Sequence, residues 1–376
     1  MANQKVSDED VGFDDQDDSQ EDSEIELIPK EKRTLRTQAY DKSVADLVSM
    51  LDQKEIALDP HYQRSYVWDN KKASLLVESI LLNVPIPVIY VEEDDESKWN
   101  VVDGLQRLNT LRRFFANEFK LTGLEVLSEL NKSQFSTLNP KAQRVLKNGI
   151  LRIIVILQES HPEIKYDIFQ RLNRGAVRLN EQELRNCLYR GSFNELLKEL
   201  RKDKTLQKIL GLQSEHPRFV DAELVLRCVA LMDRYDPVTG NISQYVGKMK
   251  GFLNAYMQEN KNAPPKKIEE VRKKFTRSIA GAYDVFGDKT FRRVNPGTKE
   301  PERQVNRALM DVVMVSFEKF ENAALAAKSR EINALLLEIQ KDDPEFSSAI
   351  TYGTSDRAKV EYRLKVWVAK LNALMR

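Results

Sequence analysis

The chain is poor in the residues that build metal and nucleophile sites. It has three histidines and two cysteines in 376 residues. His61, His161 and His216 are scattered, and no pair has the spacing of a zinc site. Neither a G-x-x-x-x-G-K-[ST] phosphate loop nor a G-x-S-x-G elbow occurs, which argues against a P-loop enzyme and a Ser-His-Asp hydrolase. Cys187 and Cys228 lie in apolar helical contexts and read as buried thiols rather than a disulfide. No stretch approaches the roughly 18 apolar residues of a membrane span. The opening MANQKVSDED lacks the basic-then-apolar order of a secretory signal, so a cytoplasmic protein with no membrane partner is expected.

Net charge is also nearly absent, at +1, but it is unevenly placed. Residues 1–30 hold 11 acids against Lys5 and Lys30, a net of −9, so the remainder carries +10. Residues 1–34 have too few apolar side chains to bury and are expected to be a disordered acidic tail, with order setting in near Ala39. A basic body suits a polyanionic partner such as DNA, while a simple solubilising tail would look the same.

What is present falls into two textures. Residues 35–190 mix short β-branched runs with helical periods. VIYVEE and WNVVDG read as strands joined by an acidic turn, and LRIIVILQ at 151–158 reads as a third. KKASLLVESILL at 71–82 reads as a buried helix, with further helices at 162–172 and 181–190, the latter opened by an Asn180/Glu183 capping pair. From 191 to 376 the pattern is amphipathic helix: 192–202, 221–235, 241–258, 266–286, 303–327, 330–341 and 355–375. The expected fold is α+β, an α/β N-terminal domain followed by an all-helical C-terminal domain. In the helix at 266–277, KKIEEVRKKFTR sets Lys and Arg on one face, either a solvated surface or a polyanion contact.

Three polar segments interrupt the apolar framework. YQRSYVW places Gln63 and Arg64 among aromatics in a loop. DGLQR, where a strand becomes a helix, brings Asp103, Gly104, Gln106 and Arg107 into five positions. A carboxylate there can hold Mg²⁺, a glycine admits close approach, an amide can orient water and a guanidinium can grip phosphate. A new helix adds free N–H groups. FQRLNRGAVRLNEQELRN carries Arg171, Asn173 and Gly175. On residue types alone each segment is also compatible with an ordinary turn or a helix cap.

In order and spacing, these segments resemble domain-of-unknown-function family 262, known for its DGQQR motif and including the N-terminal domain of GmrSD-type restriction systems. The resemblance covers residues 40 to 190 and is looser beyond. It implies a ParB/sulfiredoxin-like core that binds a nucleoside triphosphate of unknown base, often with Mg²⁺, and couples it to sensing or restricting foreign DNA. By that resemblance Asp103, Gln106 and Arg107 are the catalytic candidates, with Asp103 also the metal ligand. Gln63, Arg64, Gly104, Arg171, Asn173 and Gly175 are the nucleotide-binding candidates. Leu105 replaces the first Gln of the motif and Asn109 a usual Thr; the first departure bears on hydrolysis more than on binding. With only His216 beyond residue 161, an HNH-type nuclease domain is not expected, and a separate effector protein is. A homo-oligomer is compatible with the sequence. The resulting expectation is a nucleotide-binding regulatory sensor of a DNA-directed defence system, with Leu105 leaving hydrolysis of the nucleotide an open question. Its rivals are a non-catalytic DNA-binding module and a ParB-like nuclease.

Overall fold

The computed structural model describes residues 34–58, 68–94, 96–172, 180–294 and 300–376. Residues 1–33 of the acidic tail, Gln63, Arg64, Asn173 and Gly175 lie outside the described residues. The chain divides into two compact units, one ending at Leu188 and the other running from Tyr189 to Arg376.

The first unit is α+β. Its strands are β1 (Thr37–Ser43), β2 (Ile56–Ala57), β3 (Ile89–Glu93), β4 (Trp99–Asp103) and β5 (Ile150–Ile156). They form one mixed sheet in the order β1-β5-β3-β4-β2. The β1/β5 and β3/β4 pairs are antiparallel; β3/β5 and β2/β4 are parallel. The helices are α1 (Val44–Asp52), α2 (Asn70–Leu81), α3 (Leu105–Phe115), α4 (Pro140–Asn148), α5 (Pro162–Leu172) and α6 (Glu181–Leu188).

Strand alternation sorts the sheet into two faces. Ile89, Val91, Val101, Leu151, Ile153 and Val155 pack with α1–α4 in one continuous core, completed by Val44, Leu47, Leu108, Leu111 and Phe114. Helix periodicity predicts that packing, because Leu108, Leu111 and Phe114 fall on one face of α3. Val102 and Ile156 are buried on the other face and do not join that core. There α5 is tied to the sheet by Lys165, whose Nζ lies 2.8 Å from Glu92 Oε1 on β3, both side chains nearly buried.

Two strands escape the sequence pattern. β1 is an edge strand with an almost wholly exposed face pattern, so it has no apolar alternation to betray it. Its register on β5 is aided by an exposed cross-strand pair, Asp41 with Arg152 at 2.8 Å. β2 is only two residues long. The capping pair forms as expected: Asn180 Oδ1 accepts from Glu183 N at 2.8 Å, and Glu183 Oε2 accepts from Asn180 N at 2.7 Å.

Among the described residues the second unit has ten α-helices: α7 (Ser192–Leu200), α8 (Lys204–Leu210), α9 (Val220–Arg234), α10 (Met249–Asn260), α11 (Pro265–Phe286), α12 (Arg307–Phe317), α13 (Asn322–Ala327), α14 (Ser329–Asp342), α15 (Pro344–Ala349) and α16 (Arg357–Met375). Helix 303–327 of the sequence reading is two helices. The break brings α13 so close to α11 that a Cβ on Gly281 would stand 2.7 Å from Asn322 Oδ1. The expected helix at 241–258 begins only at Met249, after a turn held by Asp236. Helices α9, α12 and α16 are joined by a buried charge cluster. Asp311 accepts from Arg227 Nε and Nη2 at 2.8 Å each and from Arg363 Nη2 at 2.6 Å. Cys187 and Cys228 are buried thiols, as expected.

Candidate functional site

The DGLQR segment is a corner built by a register fault. Along β3 and β4 the pairing runs Glu93 to Trp99, Glu92 to Asn100 and Val91 to Val101, then slips to Tyr90 opposite Asp103. The extra residue, Val102, makes a β-bulge. Regular alternation would put Asp103 on the face of Val101, toward the helix-covered core. The bulge turns it onto the face of Tyr90 instead. A buried carboxylate among leucines and isoleucines would be strongly unfavourable, so the bulge is what makes an acid tolerable at this strand end.

Gly104 completes the corner. It is the N-cap residue of α3 with φ of 104°, and α3 begins without a side-chain cap. A Cβ at this position would meet Ile89 Cγ1 at 2.8 Å and Cγ2 at 3.0 Å, and Arg107 Nη2 at 3.3 Å. Both the left-handed backbone and the close packing on β3 therefore require glycine. Leu105, the first residue of α3, packs against the helix-covered core.

Arg107 is engaged within the protein. Its Nη2 lies 2.8 Å from Asp103 Oδ2, a helical i,i+4 relationship across the corner. The guanidinium also donates to the carbonyls of Pro87 and, at 3.3 Å, Val88. Burial pulls its pKa below the ordinary arginine value, and the neighbouring Asp103 opposes that shift. These contacts make Arg107, the residue expected to meet phosphate, a brace between the 87–88 loop and the start of α3. Asp103 remains 43% exposed at its side chain, with Oδ2 committed to Arg107. Gln106 is half-buried in the first turn of α3.

Asp103, Gly104, Gln106 and Arg107 are thus brought together. Arg171 lies on α5, where its Nε pairs with Asp167 Oδ2 at 2.7 Å and its side chain is 59% exposed. Helix α5 crosses the sheet face onto which the bulge turns Asp103, because Lys165 meets Glu92 two residues along β3 from Tyr90. Tyr90 itself was missed by sequence reasoning. The only signal for it is the register slip, which no residue pattern encodes.

A second carboxylate, Glu78 on α2, was also missed and is structural. It is 4% exposed and accepts from Val126 N at 2.8 Å, Leu127 N at 2.7 Å and Glu125 N at 3.2 Å. Desolvation acts to raise its pKa, but the three backbone donors outweigh this and hold it below the usual carboxylate value.

The basic face of α11 is largely neutralised. Arg272 is bidentate to Glu199 at 2.8 Å, Lys274 meets Glu270 at 3.0 Å, and Arg277 meets Glu321 at 3.4 Å. Against α9, Lys267, Lys274, Glu270 and Asp233 help to line a cavity of about 30 Å³, room for little more than a water molecule. Among the described residues no cluster of three or more His, Cys, Asp or Glu side chains could hold a metal ion unaided. No helix of the described residues is long and apolar enough to cross a membrane.

Residues 44–190 match the family described as GmrSD restriction endonuclease, N-terminal domain. The matched span begins with α1 and contains the whole Asp103 corner. No curated protein and no solved structure gives a significant match.

Proposed function

We propose, from the GmrSD-type N-terminal domain carried by residues 44–190, that the chain is a nucleotide-binding regulatory component of a restriction-type, DNA-directed defence system. The observation that carries this reading is the bulge at β4. It spends a register fault to present one half-exposed carboxylate beside an uncapped helix start. Arg107 uses one oxygen of that carboxylate, and the other is left at the exposed corner, where a ligand can take it.

In this reading the corner binds the phosphates of a nucleoside triphosphate with Mg²⁺. A single protein carboxylate suits Mg²⁺, which keeps several waters and takes further ligands from substrate phosphates. Asp103 Oδ1 would hold the ion while Oδ2 stays with Arg107. Bound Mg²⁺ would supply charge neutralisation to the phosphates. Gln106, in the first turn of α3, would orient a water for hydrolysis. Arg107 acts as a positioning residue through Asp103 and the 87–88 loop. A separate effector would carry any nuclease activity.

The test is a calorimetric titration of ATP, GTP, CTP and UTP with Mg²⁺, alongside phosphate release with and without DNA. Wild type should bind one nucleotide preferentially. Asp103→Asn should remove Mg²⁺-dependent affinity worth about 1.5–3 kcal/mol, the size of a charge-assisted contact. Binding by the variant equal to wild type would sink the assignment.

A further inference from the structure

The sheet face that receives Asp103 is covered unevenly. Strand register lays its side chains in cross-strand rows. One row is Ile156 on β5, Glu92 on β3 and Asn100 on β4. All three are buried, and Lys165 of α5 closes over Glu92. The neighbouring row is Ile154 on β5, Tyr90 on β3 and Asp103 on β4. Each of these three is only half-buried. None belongs to the helix-covered core.

Tyr90 is the central member of the open row. Strand aromatics ordinarily fill core or pack against a neighbouring ring, as Tyr40 does with Trp99 at 5.3 Å between centroids and a 40° tilt. Among the described residues Tyr90 has neither a ring partner nor a hydrogen-bond partner for its hydroxyl. A half-exposed, unpartnered aromatic therefore lies directly across the bulge from the one carboxylate of the corner, with Ile154 extending the apolar surface on its other side.

We infer that Ile154 and Tyr90 form a shelf for the base of the bound nucleotide, Tyr90 stacking on it while Asp103 faces the phosphate end with its cation. This rests on the nucleotide reading of the Asp103 corner and adds a residue to it. The physical basis is division of labour along one row. Opposite cross-strand positions stand about 5 Å apart at Cβ, so a ring and a carboxylate there contact different parts of one ligand. A tyrosine face is a sequence-tolerant platform, because every base presents a π-surface.

The experiment compares wild type, Tyr90→Phe, Tyr90→Leu and Tyr90→Ala, each with Mg²⁺, against the preferred nucleoside triphosphate and against inorganic triphosphate. Inorganic triphosphate has the phosphates and no base. Base stacking predicts that Tyr90→Leu and Tyr90→Ala weaken the nucleotide roughly tenfold to a hundredfold and leave inorganic triphosphate within about twofold. Tyr90→Phe should stay close to wild type with both ligands. Tyr90→Leu keeps apolar bulk without a ring, so it decides the matter should Tyr90→Ala fail to fold. Equal losses for both ligands would reduce Tyr90 to a structural residue, and no loss for either would overturn the shelf; both leave the nucleotide reading standing. A wild type that binds neither ligand would overturn that reading, and the shelf with it.

Discussion

Replacing Gly104 with alanine separates two reasons for a glycine at this corner. Sequence alone suggests that the glycine admits a ligand to the backbone. The structure supplies a reason internal to the protein: φ is 104°, and an added Cβ would lie 2.8 Å and 3.0 Å from two carbons of Ile89. A non-glycine residue at such a φ costs about 1–2 kcal/mol. Overpacking against a fully buried isoleucine adds about 1–3 kcal/mol, since Ile89 lies in a close-packed core and cannot retreat freely. Alanine returns about 0.5–1 kcal/mol by restricting the unfolded chain. The net expectation is a loss of about 1–4.5 kcal/mol, roughly 2–18 °C in melting temperature for a unit of this size. Thermal unfolding followed by far-UV circular dichroism, without nucleotide, measures it. If Gly104→Ala melts within about 0.5 kcal/mol of wild type yet loses nucleotide binding, the packing argument is wrong and ligand approach is the reason for the glycine.

Two further outcomes follow from charge. Glu78→Gln should destabilise the first unit by about 1.5–3 kcal/mol at pH 7, because a charge-assisted acceptor of three backbone N–H groups is lost. Since the folded-state pKa of Glu78 lies below the ordinary value near 4.5, its contribution is present above that pH and lost as the pH falls through the folded value. The urea midpoints of wild type and Glu78→Gln should therefore draw together as the pH falls from 4.5 through the folded value, and a gap that does not narrow on acidification would refute the account. Deleting residues 1–30 removes a net −9 and should tighten binding of polyanions at low salt, with the difference fading at high salt. Equal low-salt affinities of the two proteins in gel shifts would leave the tail without that role.

Legibility from sequence tracked burial. β3, β4 and β5 announced themselves because each carries consecutive β-branched or apolar residues bound for a buried sheet. Helices α2 and α3 did so through their apolar period, and α6 through its capping pair. β1 was silent because an edge strand in water needs no apolar face. At the site, residue types were legible and partners were not. The sequence shows an acid and a guanidinium four residues apart; only the fold shows that they bond to each other and that the guanidinium also holds Pro87 and Val88. The charge of the helical unit is a similar case. Residues 189–376 hold 34 Lys and Arg against 25 Asp and Glu, a net of +9, so the basic excess of the body resides almost wholly there. Yet α11, the helix whose sequence looks most like a polyanion contact, spends its bases on Glu199, Glu269, Glu270 and Glu321. Sequence periodicity reports which residues share a helix face and says nothing of the acids a neighbouring helix brings to it.

The departure at Leu105 can now be weighed in physical terms. The motif that this segment resembles has amides at both 105 and 106. Here position 105 turns its side chain onto the helix-covered core, where leucine is the more favourable occupant. What remains for chemistry is Gln106 in the first turn of α3, beside a carboxylate oxygen not engaged by Arg107. Binding needs charge and shape, and the corner offers both: a half-exposed carboxylate, a helix start, and a half-buried row of the sheet alongside. Hydrolysis additionally needs a water held in line with the phosphorus, and a single amide must orient it. Binding should thus tolerate the loss of Gln106 far better than turnover does. On the nucleotide reading proposed above, a corner of this composition would suit holding a nucleotide better than fast hydrolysis.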